Sequence, residues 1–482
     1  MPGGTGSLKA PLSGVVIRMY NIGQGDCFLL AFPATDGETR YMLIDFGAQT
    51  GERVEAIARD IMETTGGKLH VAAVTHEHVD HLSGFGLLGT VLKDIAIDSL
   101  WLAWTEDPAN PLVEKLKDLA QRRIKLVQEA ITRMKQGDRQ EKILQLMSPE
   151  DMYIGPRDGG ILDLLRKKCA SEAGSHVTYL APGGKPLEIP GVQGIRCFVL
   201  APPCDLAFFE VPDSREETYA LFPGINEEAA FAAALFPATD VGGADSFPSF
   251  KGYPFDKIFS VSEEVLKADN PTSLFFKRYY GFTDDPSEGP SWRRIDEDWL
   301  AFAETLALKI GEMTNNTSLV LAFEMTEATP RKILLFAADA QIGSWLSWHT
   351  LKWPGEDPGE KDLTGEDLIR RTVFYKVGHH GSVNATPREK GLELMENPDL
   401  VAMISVDEEW AHRRKWMHPW QPLEKRLFEM TRGRVIRSDQ VRLKGLLPRP
   451  PEIPEQEWNT FAQCIDWEKS QDPLWIQYTI RL

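Results

Sequence analysis

No run of about 18 uncharged apolar residues occurs anywhere in the 482-residue sequence, so no segment reads as a membrane-spanning helix. No cationic start followed by a long apolar run marks an export signal either. Cysteine is scarce: five residues, none in a close CxxC pair, indicate neither a disulfide framework nor a zinc ribbon and point to a reducing compartment. Basic charge is short, with 53 Lys and Arg against 71 Asp and Glu and a formal net charge of −18. Sequence-blind binding to duplex DNA depends on neutralising phosphates with clustered cations, and this balance argues against it. The local clusters Arg122-Arg123-Ile124-Lys125, Arg413-Arg414-Lys415 and Arg432-Gly433-Arg434 read first as solvated faces. A cytoplasmic protein with no membrane association is the expectation.

What the chain does hold is a concentration of metal-binding side chains. His76-Glu77-His78-Val79-Asp80-His81 places four of them in six residues, directly after the apolar run Leu69-His70-Val71-Ala72-Ala73-Val74-Thr75. That run is uncharged and rich in strand formers, so it predicts a buried strand whose exit loop delivers His76 and His78. Asp80 and His81 then open a helix carrying Leu82, Phe85, Leu87, Leu88 and Val91. Imidazole and carboxylate suit zinc, manganese or iron, and a carboxylate beside three histidines points to catalysis rather than to a closed structural site. Two more apolar strands end on ligands: Arg331–Ala340 reaches Asp339, and Thr372–Ser382 reaches His379 and His380. A strand under a reactive loop is the rigid support that a binuclear centre needs.

Six motifs, in this order, resemble those of the metallo-β-lactamase fold and, more narrowly, of the ComEC-type branch of competence proteins and its soluble relatives. They are Asn21-Ile22-Gly23-Gln24-Gly25-Asp26, Leu43-Ile44-Asp45-Phe46-Gly47, the HxHxDH loop, Asn315-Asn316-Thr317-Ser318-Leu319-Val320-Leu321, Phe336-Ala337-Ala338-Asp339 and Lys376-Val377-Gly378-His379-His380-Gly381-Ser382. The resemblance implies an α/β fold, an αββα sandwich, with a helical insertion and a second large loop-rich insertion. It also implies that His76, His78, Asp80, His81, Asp339 and His379 hold two divalent ions, zinc or manganese, with Asp339 as the bridge. Asp80 and His380 are the expected catalytic residues, His380 donating a proton or a hydrogen bond to substrate, and the opposite assignment of His379 and His380 stays open. Asp45 would orient the ligand loop from behind. Lys376, Ser382 and Asn384 offer phosphate contacts, against a structural reading of each. Two departures stand out. His78 occupies a position where many ComEC-type domains carry aspartate, and between the HxHxDH loop and Asp339, where a further histidine ligand is expected, the only histidine is His176. Cys204 or His176 would have to supply that ligand.

The expected organisation follows. Residues 14–205 form the first half of the sandwich, with early strands Val15–Tyr20, Cys27–Phe32 and Tyr41–Ile44 and a helix over Arg53–Glu63. A helical insertion at 107–170 carries Leu112, Leu116, Leu119, Ile124, Leu126, Val127, Ile131 and Met134 at helical spacing. Residues 206–310, rich in Pro, Gly and aromatics as in Gly242–Pro254, form a loop-rich cap or lid. Residues 311–425 complete the sandwich, and 426–482 form a C-terminal extension, Pro-rich at Leu447–Pro454, whose strand-like end Leu474–Ile480 closes a sheet edge or meets a partner. The function expected is metal-dependent hydrolysis, first of a phosphodiester or nucleic acid. The alternatives are hydrolysis of small esters or lactones, or a regulatory metal-binding subunit of a larger assembly, with a protein partner on the insertion or the extension.

Overall fold

The computed structural model describes residues 8–51, 53–133, 143–144, 159–211, 261, 263–280, 302–355, 361–442 and 449–481. The chain divides into two compact units. The first comprises Met1–Asp118, Tyr153–Gly224 and Glu312–Leu482, and the second Leu119–Met152 and Ile225–Gly311.

Two mixed sheets build the first unit. We number their strands β1 Gly14–Tyr20, β2 Cys27–Pro33, β3 Thr39–Phe46, β4 Val71–Ala73, β5 Ser99–Ala103, β6 His176–Leu180, β7 Leu187–Glu188, β8 Ile195–Ala201, β9 Val320–Met325, β10 Lys332–Phe336, β11 Thr372–Lys376, β12 Val401–Ile404, β13 Val435–Arg437, β14 Ile465–Trp467 and β15 Trp475–Arg481. The first sheet runs β14-β15-β1-β2-β3-β4-β5-β6 and the second β13-β12-β11-β10-β9-β8-β7. Each is antiparallel in one half and parallel in the other: parallel pairing joins β3 to β6 through β4 and β5, and β10 to β13 through β11 and β12.

Strand alternation explains the layers. Ile17, Phe28, Leu30 and Ile44 of the first sheet meet Val199, Leu321, Phe336 and Met403 of the second in one core. Phe28 and Phe336 pack edge to face across it at 5.9 Å. The alternate residues face outward. Leu29 and Leu43 join Ile57 and Ile61 of the helix Val54–Thr65 and Leu162 and Leu165 of the helix Ile161–Ser171. On the other side Leu335 and Tyr375 join Trp345 and Trp348 of the helix Ile342–Trp348. Helices therefore cover both outer faces of a face-to-face pair of sheets.

The segment after residue 425 is not an appendage. β15 pairs with β1 along seven residues, from Gly14 opposite Arg481 to Tyr20 opposite Trp475, with β14 beyond it. The buried Arg18 guanidinium lies 3.9 Å from the Trp475 ring centroid and bonds Gln477 at 3.0 Å and Asp60 at 2.9 Å. The expected strand at Leu474–Ile480 is thus an interior member of the first sheet.

Within the stretch 107–170, expected as a helical insertion, the described residues form the helices Pro111–Arg133 and Ile161–Ser171. In the second unit the described residues include the helices Glu263–Lys267 and Pro271–Tyr280. The stretch Gly242–Pro254, expected to be loop-rich, and the proline-rich start Leu447–Pro448 lie outside the described residues. No helix among the described residues is long and apolar enough to cross a membrane.

Candidate metal centre

Every residue of the site leaves a strand end at the same edge of the sandwich. Asp26 precedes β2, Asp45 closes β3, and Thr75–His81 follow β4; Asp339 follows β10, His379 and His380 follow β11, and Ser405 follows β12. Backbone bonds lock these loops together: Asp26 N–H donates to Asp80 O at 2.8 Å, Gly47 N–H to Asp26 O at 3.1 Å, and Leu319 N–H to Thr75 O at 2.9 Å. Four non-glycine residues of the site adopt positive φ: Asp45 at 55°, Ala338 at 49°, His379 at 41° and His380 at 52°. L-residues in that region cost roughly 1–2 kcal/mol each, and such strain gathers where side-chain direction matters for function.

Two clusters of metal-binding atoms result. His76, His78 and Asp339 form one, and Asp80, His81 and His380 the other. All six were in the sequence-derived set of ligands and catalytic groups, but the last histidine is His380 rather than His379. His379 Nε2 lies 3.9 Å from Asp339 Oδ2 and joins neither cluster. A third grouping, Asp26, Asp45 and His81, already has its cation, because the buried Lys376 ammonium pairs with Asp26 and donates to Ala338 O at 3.1 Å.

Hydrogen bonds behind the imidazoles fix which nitrogen faces inward. His81 Nδ1–H donates to Asp45 Oδ2 at 2.8 Å, so Nε2 presents a lone pair, 3.1 Å from Asp339 Oδ2. His380 Nδ1–H donates to Ser405 O at 2.7 Å, so its Nε2 faces Asp80 Oδ2 at 3.0 Å. The Thr75 hydroxyl donates to Asp45 at 2.7 Å and so accepts from His76 Nδ1 at 3.1 Å, turning His76 Nε2 toward His78 Nδ1 at 3.0 Å. These donor atoms thus approach one another to 3.0–3.1 Å. Zinc bonds nitrogen at about 2.0–2.1 Å, which sets neighbouring tetrahedral donors about 3.3 Å apart. His81 Nε2 and Asp339 Oδ2 are buried without a hydrogen-bond partner. The donor set therefore fits a divalent cation.

The charges agree. Burial pulls the His81 pKa down, but the Asp339 and Asp45 carboxylates outweigh it and raise it well above the histidine range. Burial likewise opposes, and Asp80, Asp26 and Asp339 reverse, the shift of His380, which is also raised. Burial raises Asp80 and Asp339, yet His380 and His81 hold the first, and His81 and His379 the second, below the carboxylate range. Each pair requires positive charge between its partners, a proton or a metal.

Asp45 supports His81, as expected. Cys204 is exposed and His176 bonds Ser99 at 3.1 Å; neither joins a cluster among the described residues. Ser382 and Asn384 are buried and bonded to each other: Ser382 Oγ–H donates to Asn384 Oδ1 at 3.1 Å and accepts from His379 Nδ1 at 3.0 Å. Burial brings the His379 pKa to about 4, leaving a neutral imidazole.

Sequence reasoning missed His418. Asp407 N–H binds Gln24 Oε1 at 3.1 Å, so the Gln24 amide donates to His418 Nδ1 at 3.1 Å and the imidazole keeps its proton on Nε2. Its ring lies 5.4 Å from His379, and beyond it Trp416, Trp410 and Arg414 stack in turn, at 5.6, 5.4 and 4.4 Å. A single histidine with no periodic neighbours gave no signal.

No family model matches the chain, and no curated protein or solved structure is significantly similar to it.

Proposed function

We propose that this protein is a metal-dependent hydrolase of the metallo-β-lactamase fold, holding two divalent cations, zinc or manganese, and cleaving phosphodiesters. The observation that carries the reading is the convergence of the metal-binding atoms of His76, His78, Asp80, His81, Asp339 and His380 in two buried clusters. Bound divalent cations would lower the pKa of water and neutralise charge developing on phosphoryl oxygens. Asp339 would help to hold the metal, its Oδ2 lying 3.1 Å from His81 Nε2 and 3.9 Å from His76 Nε2. Asp45, Thr75 and the Ser405 carbonyl hold the imidazoles in their ligating tautomers. His379 and His418 are neutral beside the centre; His379 is assigned to accept a proton at Nε2, and His418 to donate a hydrogen bond from its Nε2–H.

The phosphodiester reading is favoured over small esters by the shelf next to His418. Trp416 is 38 % exposed, and Arg414 backs Trp410, a pairing of ring and cation that suits a nucleobase beside its phosphate. The five cysteines are unpaired, which supports a cytoplasmic setting. The test compares a phosphodiester dye and a single-stranded oligonucleotide with a lactone, each with zinc or manganese. Cleavage of the phosphodiesters, abolished by Asp339→Ala, is expected; turnover of the lactone alone would replace this reading with the ester one.

A further inference from the structure

At the end of the second sheet away from the metal centre lies a cavity of about 430 Å³, within the usual range for small-molecule sites. Its lining includes five cations, Lys185, Arg196, Arg331, Lys361 and Arg371, against Asp362 and Asp367. Strand register assembles it. Arg196 sits opposite Glu324, Glu324 opposite Ile333, and Ile333 opposite Thr372, the residue after Arg371. β9 reads Val-Leu-Ala-Phe-Glu-Met, so Glu324 is the one charge in an apolar strand, and it is fully buried.

Three guanidinium groups converge on that carboxylate: Arg196 Nε at 2.5 Å, Arg331 Nη1 at 3.7 Å and Arg371 Nη1 at 3.8 Å. Stability alone does not account for them. Desolvation offsets the attraction of a buried ion pair, and an apolar residue in place of Glu324 would serve the sheet as well. Among the described residues, five cations line the cavity against the carboxylates of Glu324, Asp362 and Asp367, in a chain whose net charge is −18.

We propose that this cavity binds a small phosphorylated compound. A phosphate monoester carries about two negative charges at neutral pH, which suits a lining with five cations, and guanidinium groups bind phosphate oxygens in pairs. The floor for the organic part is apolar: Phe198 and Trp353 pack edge to face at 4.9 Å, and Trp353 Nε1–H donates to Gly184 O at 2.8 Å, fixing the loop that carries Lys185. The site is separate from the metal centre. β11 runs from Thr372 beside Arg371 to Lys376 before the histidine loop, about 15 Å of extended chain.

Calorimetric titration of the full chain with inorganic phosphate and with AMP, using citrate at matched ionic strength as the carboxylate control, tests the proposal. Saturable binding of phosphate or AMP that citrate does not displace is expected. It should persist in Asp339→Ala/His380→Ala and weaken at least about tenfold, about 1.4 kcal/mol, in Lys185→Ala/Arg371→Gln. Arg371 touches Glu324, so the single variant Lys185→Ala, at an exposed position, is measured beside it and should weaken binding in the same direction. Three results would each overturn the assignment: no saturable binding of either phosphate, displacement by citrate at equal concentration, or loss of binding in the metal-site variant with retention in the lysine and arginine variants.

Discussion

At Asp45 one carboxylate governs two imidazoles, His81 directly and His76 through the Thr75 hydroxyl. Asp45→Ala is therefore expected to weaken metal binding about 10–100-fold while far-ultraviolet circular dichroism stays unchanged; equilibrium dialysis with zinc measures it. Binding as tight as in the parent protein would remove Asp45 from the support of the centre. The neighbours His379 and His380 make a sharper contrast. His380→Ala should lower the metal content, whereas His379→Ala should keep it and slow turnover about 10²–10⁴-fold, read by elemental analysis and initial rates. The HxHxDH loop was legible in the sequence because its ligands are local to one strand exit. The choice between His379 and His380 was not, because both lie in the left-handed region, at φ 41° and 52°, where the alternation of a strand no longer says which side chain faces which way.

Between elements, close backbone approach sets the geometry. A Cβ on Gly47 would meet the His81 backbone at 2.5 Å, and no rotamer relieves a backbone clash. Gly47→Ala should thus displace the helix that carries Asp80 and His81, lowering both the unfolding temperature and the metal content in the same preparation. The last strand follows the same logic with larger energies. Trp475 is buried against Arg18, and Trp475→Ala is expected to cost about 3–5 kcal/mol in denaturant unfolding. Its alternating pattern was readable in the sequence. Its partner was not, because β1 lies at the other end of the chain and pattern alone does not choose among strands so far apart.

For the whole molecule a metal bound at the candidate centre would act as a clasp, since the clustered side chains come from loops of both sheets: His76, His78, Asp80 and His81 from the first, Asp339 and His380 from the second. Ligand binding to the folded state alone adds about 2.7 kcal/mol at a hundredfold excess over Kd. Chelation should accordingly lower the unfolding temperature and zinc or manganese should restore it, with Asp339→Ala unresponsive to either in a thermal-shift measurement. What the sequence determined by itself was the local content: apolar strands, the ligands at their ends, their order along the chain and the acidic balance, each written in residues close together. Only the tertiary structure decided which histidine turns inward, that the terminal segment lies inside a sheet, that Lys376 neutralises Asp26, and that three arginines gather on Glu324. Those outcomes depend on contacts between residues far apart in sequence, where burial and the need to satisfy buried charge, rather than local preference, select the arrangement.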